Sequence, residues 1–430
     1  MSQIIVYPTK NLSGMIKVDG DKSITHRAIL QAGLAQGSSM IHGYLSGNDC
    51  QATIDCLIAL GVPIEQKKDI LHVQGRGLHG LIAPTRTLNC VRSGTTMRLL
   101  MGILSGQTRS RILLDGDPQL KNRPMERVAI PLRVLGAKIE TTGGKPPIEI
   151  SPAPLLGAVV EVGLPSAQIK SALIYAGLFA EGETTILQSA PTRDHTERML
   201  IAQGANVICQ PGKIKVRAES HLHPLEMTIP GDISSAAFPI TAGVLCAGSK
   251  IWIQDVGLNP SRTGILDILI NMSAKVEIIE SPGSHTEPIG QIMVDHSMLQ
   301  SMVMDGDLIV RSIDEIPLAA LLATQADGQT VIRNAEELRV KETDRILSIS
   351  TELKKMGARI VPTADGMIIQ GPTQLQGTLV DGHGDHRIAM TLFIAGLIAN
   401  GETRINGFEC VTDSFPGFLA VMQAIGARYA

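Results

Sequence analysis

The sequence of 430 residues is poor in aromatic side chains: Phe, Tyr and Trp together make up 3%, and Trp252 is the single tryptophan. This scarcity of rings argues against the stacking platforms that bind single-stranded nucleic acids. Charge of either sign is balanced as well, with 38 basic and 41 acidic residues, so no overall basic field attracts DNA or RNA. We therefore expect no nucleic-acid partner, and any anion-binding ability has to be local.

Long apolar runs and cysteine motifs are also lacking. The longest strongly apolar segment, IAMTLFIAGLIA at residues 388–399, is too short to span a bilayer, and the first residues do not resemble a signal peptide. The six cysteines lie far apart without a CxxC pair, which predicts buried thiols in a reducing compartment. The histidines have no coherent zinc spacing. These absences predict a cytoplasmic protein that has no membrane contact and no metal.

Two interleaved series of residues repeat along the chain after helix-like runs. The first is Gly37, Gly106, Gly182, Gly248, Gly328 and Gly401, and the second is Gly61, Gly136, Gly204, Ser273, Gly357 and Gly426. We interpret both as helix C′ positions, where glycine adopts the left-handed conformation without a Cβ penalty. The pattern predicts an α/β fold of six repeated βαβαββ units.

The first helix of each unit is apolar nearly all round, as in IKSALIYAGLFAEG at 169–182. Such helices are buried on every side, so we expect the sheets to wrap outside them. A chain of this length is longer than one hydrophobic core usually supports, so we expect two domains. We place an N-terminal domain at 21–229 and a C-terminal domain at 1–20 plus 230–430, with three units in each.

Polar residues gather where these helices begin. The starts of the first helices carry Lys22, Ser23, Arg27, Ser93, Gly94, Thr95, Ser166, Gln168, Asp232, Ser234, Asp314, Glu315, Asp385, His386 and Arg387, and the second helices carry Arg123, Arg193, His195 and the run KETDR at 341–345. Capping explains the Ser, Thr and Asp residues. It does not explain the cations. A cation at a helix N-terminus opposes the helix dipole, which costs roughly 0.3–1 kcal/mol of helix stability when the side chain is exposed. Their repetition indicates that the helix starts surround anions. For each run alone, a cap or a solvated surface charge remains an alternative.

Nine motifs in this order resemble the 5-enolpyruvylshikimate-3-phosphate synthase (EPSP synthase) family. They are DKSITHR, SGTTMRLL, NRPM, SAQIKSAL, RDHTERM, PGDISSAAF, IDEIP, KETDRI and GDHRIAM, between residues 21 and 390. SAQIKSA and RDHTE resemble the class II branch. The resemblance implies transfer of the enolpyruvyl group of phosphoenolpyruvate to the 5-hydroxyl of shikimate 3-phosphate, without a cofactor. It also implies a two-domain inside-out α/β barrel, with the active site in the cleft between domains and the N-terminal strand completing the C-terminal domain.

The resemblance further assigns roles to individual residues. Both substrates carry a phosphate and a carboxylate, and the addition step requires one proton to be removed and another delivered. By resemblance, Asp314 is the base, and Glu342 is the proton donor, with Lys22 as an alternative donor. The shikimate 3-phosphate set is Lys22, Ser23, Arg27, Ser166, Gln168, Arg193, Asp314 and Lys341; the phosphoenolpyruvate set is Lys22, Gly94, Arg123, Gln168, Arg345 and Arg387; His386 is supporting.

Two positions depart from the family pattern. Arg92 stands where the family usually has Asn, and Asp413 stands where many members have a phosphate-contacting Lys. Glyphosate inhibition is implied by the resemblance, but its strength in this chain is left open by these departures.

We expect a monomer. Two alternatives are the sister enolpyruvyl transferase that acts on UDP-N-acetylglucosamine, whose reactive Cys is lacking in DGDPQLKNRP, and a non-catalytic anion-binding module of the same fold.

Overall fold

The structure is a computed structural model that describes residues 3–107, 110–219, 221–282 and 286–430. Its helices are α1 (Lys22–Leu34), α2 (Asn48–Ala59), α3 (Gly94–Gln107), α4 (Pro118–Lys121), α5 (Glu126–Val134), α6 (Ala167–Gly177), α7 (His195–Ala202), α8 (Ile233–Leu245), α9 (Gly264–Asn271), α10 (Gly306–Ser312), α11 (Ile316–Gln325), α12 (Arg345–Lys355), α13 (His386–Ile398) and α14 (Phe418–Ala424). The segments Glu336–Val340 and Phe408–Asp413 are 3-10 helices.

Within the residues that the structure describes, the strands are short and form six sheets. They are β1 (Gln3–Tyr7), β2 (Ser13–Lys17), β3 (Gln36–His42), β4 (Ile64–Lys67), β5 (Ile70–Arg76), β6 (Leu88–Asn89), β7 (Ile112–Asp115), β8 (Lys138–Thr142), β9 (Lys145–Ser151), β10 (Val159–Val162), β11 (Glu183–Gln188), β12 (Val207–Gln210), β13 (Lys213–Arg217), β14 (Glu226–Thr228), β15 (Lys250–Gly257), β16 (Lys275–Glu280), β17 (Ile289–Asp295), β18 (Leu299–Gln300), β19 (Val303–Met304), β20 (Ala326–Ile332), β21 (Arg359–Pro362), β22 (Met367–Gly371), β23 (Leu379–Asp381), β24 (Thr403–Asn406) and β25 (Arg428–Tyr429).

The chain divides into two compact units. One is Lys22–Ile229, called the N-terminal unit, and the other is Met1–Asp21 with Pro230–Ala430, called the C-terminal unit. The N-terminal unit has three four-stranded sheets, ordered β14-β3-β5-β4, β6-β7-β9-β8 and β10-β11-β13-β12. The first pair in each sheet is parallel, and the next two pairs are antiparallel. A parallel pair needs a crossover connection, which α3 and α6 provide for β6–β7 and β10–β11.

The C-terminal unit repeats this sheet plan with strands from both ends of the chain. Its sheets are ordered β16-β17-β15-β2, β18-β20-β22-β21 with β19 beside β20, and β23-β24-β1-β25. Strand β2 pairs parallel to β15, and β1 lies antiparallel between β24 and β25. The first strands of the chain therefore complete sheets of the C-terminal unit, as the family resemblance implies.

Three inner helices in each unit are buried on almost every side: α1, α3 and α6 in one unit, and α8, α11 and α13 in the other. Every residue of α8 from Ile233 to Val244 is buried. In the C-terminal unit these helices pack against one another, while β15, β22 and β1 cover α8, α11 and α13. The prediction of apolar helices inside sheets is confirmed within each unit.

The second series of predicted helix ends is confirmed at all six positions. Each residue lies two places after the last helical residue and has a positive φ, from 66° at Ser273 to 95° at Gly357. The first series is not a series of C′ positions. Gly37, Gly248, Gly328 and Gly401 follow their helices by three residues, and Gly182 follows α6 by five. These five have a positive φ.

Gly106 departs from the prediction altogether because it lies inside α3. A Cβ atom on Gly106 would lie 2.3 Å from the ring carbon Cγ of Phe179, so close helix packing accounts for this glycine. The run KETDR also differs from its prediction as a helix opening. Helix α12 begins only at Arg345, with Asp344 as its N-cap, and Lys341 precedes the helix.

Most of the thiols lie where the composition predicts them. Five of the six cysteines are buried, but Cys209 is exposed because it projects from strand β12 at the edge of its sheet. Across the described ranges, no helix has the length and apolar character needed to cross a membrane. Within the same ranges, no cluster of three or more His, Cys, Asp or Glu side chains is arranged to hold a metal ion.

Candidate active site

Lys22 begins α1 and is one of the predicted ligands of both substrates. Its Nζ atom lies 3.2 Å from the Oδ2 atom of Asp49, which is in the first turn of α2. Both side chains are largely buried, so this ion pair is screened less than a surface pair. Asp49 therefore holds the ammonium group at the helix start.

Arg27 lies one turn into α1 and is almost completely buried. Its Nε atom donates to the Oγ1 atom of Thr196 at 2.7 Å, its Nη1 to the carbonyl of Ser23 at 2.9 Å, and its Nη2 to the Oγ atom of Ser171 at 3.0 Å. The Oγ atom of Ser171 and the Oγ1 atom of Thr196 also lie 2.7 Å apart, within hydrogen-bond distance. Arg27 thus ties α1 to α6 and α7, which excludes the alternative that it is a surface cation.

Gly94 is the first residue of α3, and its missing side chain leaves room for two guanidinium groups. A Cβ atom there would lie 3.0 Å from Nη1 of Arg123 and 3.4 Å from Nη1 of Arg98. Next to it, the Oγ1 atom of Thr95 accepts a hydrogen bond from Nε2 of Gln168 at 3.0 Å. The start of α3 therefore combines helix N–H groups with two cations, which is the chemistry that binds phosphate or carboxylate.

A chain of buried hydrogen bonds runs beneath this helix start. The Nδ1 atom of His26 lies 2.7 Å from Oγ1 of Thr53, which is 2.7 Å from Oγ1 of Thr96, and Thr96 donates to Oγ of Ser93 at 2.7 Å. Ser93 in turn accepts from the backbone N–H of Thr96 at 3.1 Å, so it caps α3. Burial holds the pKa of His26 well below its usual 6.5, with Lys22 acting in the same direction.

The remaining predicted residues of this unit lie at the starts of α6 and α7. Ser166 occupies the N-cap position of α6, but its side chain makes no capping hydrogen bond, so capping does not account for it. Arg193 lies two residues before α7 and is half-buried. The N-terminal unit therefore brings Lys22, Ser23, Gly94, Arg123, Ser166, Gln168 and Arg193 to helix starts or to the loops that lead into them.

Arg345 is the centre of the polar cluster in the C-terminal unit. Its buried guanidinium contacts Asp385 at 2.7 Å, Glu342 at 2.6 Å and Asp314 at 3.4 Å. Burial alone would lower the pKa of Arg345, but the charges of Asp385, Glu342 and Asp314 reverse the effect and raise it. One permanently charged side chain thus holds both predicted proton-transfer groups, Asp314 and Glu342.

Arg387 lies beside this cluster at the start of α13. Its Nη2 atom is 3.9 Å from Oδ2 of Asp314, and its Nη1 donates to Oε1 of Glu315 at 3.3 Å. Glu315 also accepts a short hydrogen bond from Oγ of Ser234. Burial raises the pKa of Glu315, although the charge of Arg387 opposes the shift. The carboxylates of Asp314 and Glu315 therefore orient the guanidinium from two sides.

Arg262 extends the network to the start of α8. It lies in the loop after β15, and its Nη2 atom donates to Oγ of Ser234 at 2.7 Å and to Oδ1 of Asp232 at 3.1 Å. Its Nη1 atom is 3.5 Å from Oδ2 of Asp21. Asp232 accepts from the backbone N–H of Ser234 at 2.9 Å and so also caps α8.

Two predicted residues flank this cluster. Lys341 is half-buried between the 3-10 helix Glu336–Val340 and α12, and burial lowers the pKa of its ammonium group while Asp314 raises it. His386 is buried as the first residue of α13, directly after Asp385. Asp385 accepts from the backbone N–H of Arg387 at 2.9 Å, so it both caps α13 and pairs with Arg345.

Several polar residues of these clusters were not among the predicted site residues. Arg98 lies in the motif SGTTMRLL, four residues after Gly94, so helical spacing could have indicated it. Asp49 and Arg262 carry no such signal, because Lys22 and Ser234 are far from them in sequence. Glu315 was noted as a helix-start residue, but its side chain makes no capping hydrogen bond and contacts Arg387 instead.

The two departures from the family pattern lie at different places in the structure. Arg92 is exposed in the turn that leads into α3, next to Ser93. Asp413 ends the 3-10 helix Phe408–Asp413 and is half-buried. An added cation therefore lies close to the Gly94 helix start.

Comparison with known proteins agrees with the motifs at these helix starts. A family model described as EPSP synthase (3-phosphoshikimate 1-carboxyvinyltransferase) matches residues 6–422. The chain belongs to the EPSP synthase family. Among its relatives, the 3-phosphoshikimate 1-carboxyvinyltransferase of Citrifermentans bemidjiense is 45% identical over 430 residues and covers 100% of both chains. That of Brevibacillus brevis is 46% identical over 415 residues, covering 96% of this chain and 97% of its own.

A solved structure of EPSP synthase from Acinetobacter baumannii matches this chain with a TM-score of 0.90 and 40% sequence identity. The match covers 100% of this chain and 99% of the other. The resemblance based on nine motifs is thereby confirmed, and so is the α/β fold class that it implied. Membership of the EPSP synthase family also makes this chain an enzyme.

Proposed function

We propose that this enzyme transfers the enolpyruvyl group of phosphoenolpyruvate to the 5-hydroxyl of shikimate 3-phosphate, releasing phosphate. The observation that carries the proposal is the contact of Arg345 with both Asp314 and Glu342, at 3.4 and 2.6 Å. Carboxylates can orient the cations of a site that only binds anions, as Asp49 does for Lys22, but such a site has no need of groups that transfer protons. A transferase needs them, because one group has to remove a proton and another has to deliver one.

Asp314 is the proposed base. It accepts the proton of the 5-hydroxyl while the oxygen attacks the enol carbon of phosphoenolpyruvate, and Glu342 delivers a proton to the methylene carbon. The methyl group of the resulting tetrahedral intermediate then returns a proton to Glu342 while the C–O bond to phosphate breaks, which restores the double bond of the enolpyruvyl product. Phosphate leaves with the proton that Asp314 had accepted. Lys22 is the alternative proton donor. Arg345 supports this assignment because it fixes both carboxylates at distances set by its planar guanidinium.

The cations and helix starts are proposed to hold the substrates. For phosphoenolpyruvate, Gly94 with Arg123 supplies a helix start and a guanidinium, and Arg345 and Arg387 supply two further guanidinium groups. The full set for this substrate is Lys22, Gly94, Arg123, Gln168, Arg345 and Arg387. The set for shikimate 3-phosphate is Lys22, Ser23, Arg27, Ser166, Gln168, Arg193, Asp314 and Lys341, with His386 as a supporting residue.

One assay tests the proposal against its alternatives. Phosphate release from phosphoenolpyruvate is measured with shikimate 3-phosphate, with UDP-N-acetylglucosamine and without an acceptor. Release that requires shikimate 3-phosphate is the expected result. Dependence on the sugar nucleotide would assign the chain to the sister activity, and no release with either acceptor would contradict the proposed reaction.

We further propose that glyphosate, an anion with a phosphonate and a carboxylate, inhibits by occupying the phosphoenolpyruvate set. Inhibition that phosphoenolpyruvate relieves is expected, and inhibition that it does not relieve would contradict this. We also propose that the protein is cytoplasmic and monomeric. The five buried free thiols support the cytoplasmic location, because thiols stay reduced in that compartment. Sedimentation equilibrium tests the oligomeric state.

A further inference from the structure

A buried ion pair in the N-terminal unit has no place in the proposed chemistry. The Nζ atom of Lys170 lies 2.6 Å from Oε1 of Glu197, and each side chain is only 2% exposed. Removing two charges from water costs free energy that their attraction often fails to recover, so a well-packed apolar pair is frequently as stable. Stability alone therefore does not account for this pair.

The surroundings of the pair indicate another role. Lys170 also donates a hydrogen bond to the backbone carbonyl of Thr192 at 3.1 Å. Thr192 directly precedes Arg193, and Glu197 directly follows Thr196. The pair therefore fixes the backbone of residues 192–197, which contains the start of α7, against the first turn of α6.

The same turn of α6 carries other groups of the candidate site. Gln168 lies two residues before Lys170 and reaches Thr95 on α3. Ser171 follows Lys170 and accepts from Arg27. The pair consequently lies where three segments with proposed shikimate 3-phosphate residues meet: α1, the first turn of α6 and the loop before α7.

We propose that Lys170 and Glu197 are positioning residues that set the relative placement of Arg27, Gln168 and Arg193 for shikimate 3-phosphate. This inference rests on the proposed function. The pair acts through the backbone and through Thr196, which accepts from Nε of Arg27 at 2.7 Å. Displacing a substrate-binding group by about 1 Å can slow a reaction by on the order of 100-fold. A rigid buried ion pair can therefore matter for function even where it adds little to the free energy of unfolding.

The test replaces both charges together. The Lys170→Met/Glu197→Leu variant leaves no lone buried charge, and its melting temperature is expected within about 3 °C of wild type. The dissociation constant for shikimate 3-phosphate, measured by calorimetry at 25 °C, is expected to rise about 10- to 100-fold. A link that merely stabilised the fold would not weaken binding in a protein of unchanged melting temperature.

A second variant covers the case in which the apolar pair does not fold. Lys170→Gln/Glu197→Gln removes both charges but retains an amide that can donate to the carbonyl of Thr192 and to its partner amide. A rise in the dissociation constant smaller than that of the apolar variant is expected. If the apolar variant does not fold, the Gln variant is expected to bind at least about 3-fold more weakly than wild type, and wild-type affinity in it would overturn the proposal.

Lys215→Met provides the matched control. Lys215 pairs with Glu183 at 2.7 Å in the same unit, but the pair lies on β11 and β13 and is about one-third exposed. The Lys215→Met variant is expected to have the same dissociation constant for shikimate 3-phosphate as wild type. Wild-type affinity in the apolar Lys170 variant, or affinity lost only in step with the melting temperature, would overturn the proposal. A wild-type protein that neither binds shikimate 3-phosphate nor releases phosphate with it would overturn the proposed function itself.

Discussion

The Nε2 atom of His383 lies 2.8 Å from Oε1 of Glu352, and this contact joins α12 to the turn that precedes α13. The buried carboxylate of Glu352 also accepts from the backbone N–H of Asp381 at 3.0 Å. His383 has a φ of 54°, a left-handed conformation that is uncommon for residues other than glycine. The turn ends at Asp385, whose carboxylate holds Arg345. Glu352 therefore supports the central arginine of the cluster from a distance.

The Glu352→Gln substitution tests this support. In this variant an amide NH2 group replaces one of the carboxylate oxygens that contact His383 and the backbone N–H of Asp381. The amide cannot accept a hydrogen bond at that position, so the turn should shift and Asp385 should hold Arg345 less firmly. We expect KM for phosphoenolpyruvate to rise about 10-fold. Lys355→Met is the matched control, since Lys355 pairs with the same carboxylate at 2.8 Å but is 46% exposed and lies on α12 instead of in the turn. Equal KM values for both variants would contradict the prediction.

Removing either proposed proton-transfer group should reduce turnover without abolishing substrate binding. Asp314→Asn and Glu342→Gln are each expected to lower kcat by about 100-fold or more, because each deletes one proton-transfer step. The dissociation constant for shikimate 3-phosphate should change little in Glu342→Gln. In Asp314→Asn, which alters a residue of the proposed shikimate 3-phosphate set, it should rise by a much smaller factor than kcat falls. Near-normal kcat in both variants would remove these two assignments.

The control for that experiment comes from the same five-residue run. Asp344 is the N-cap of α12 and accepts from the backbone N–H of Leu347 at 3.0 Å. Asn is as good an N-cap as Asp, so Asp344→Asn should retain both the helix and the turnover rate. A large loss in this variant would indicate that any change of charge near Arg345 impairs the enzyme.

His26 should make stability depend on pH. Its folded pKa is well below 6.5 because it is buried, whereas the unfolded chain takes up a proton near 6.5. Its contribution to stability is therefore complete above pH 6.5 and is lost as the pH falls toward the folded pKa, by up to ~1.4 kcal/mol per pH unit. Urea unfolding between pH 7.5 and 5.5 should show a smaller loss for His26→Asn than for wild type. Parallel curves would contradict the prediction.

Lys341 should limit activity at alkaline pH. Burial lowers its pKa below the usual 10.5, so its ammonium group loses its charge, and its attraction for an anion, earlier than an exposed lysine does. KM for shikimate 3-phosphate is expected to rise at a pH below 10.5. Lys341→Arg keeps its charge over this range and should show no such rise, even if its KM is higher throughout. The same alkaline rise in both proteins would assign it to another group.

The sequence predicted the parts of this protein that depend on local pattern. Apolar residues on all sides of the inner helices indicated their burial, and residues such as Ser273 marked helix ends because the C′ position demands a positive φ. Gly106 was misread because a glycine needed for contact with Phe179 resembles a helix stop in sequence. The links Lys22–Asp49 and Arg262–Asp21 were not predicted, since they depend on tertiary packing between distant segments.

The position of β1 between β24 and β25 also constrains how the protein is made. Ile5 and Ala430 exchange backbone hydrogen bonds of 2.8 Å in both directions, so two residues that are far apart in the sequence form one pair. During synthesis on the ribosome, β1 has to remain without its partners until β24 and β25 have been made. The unit enclosed between them, Lys22–Ile229, has all of its own strands available much earlier. A nascent chain should accordingly be able to fold the unit Lys22–Ile229 before β1 can pair with β24 and β25.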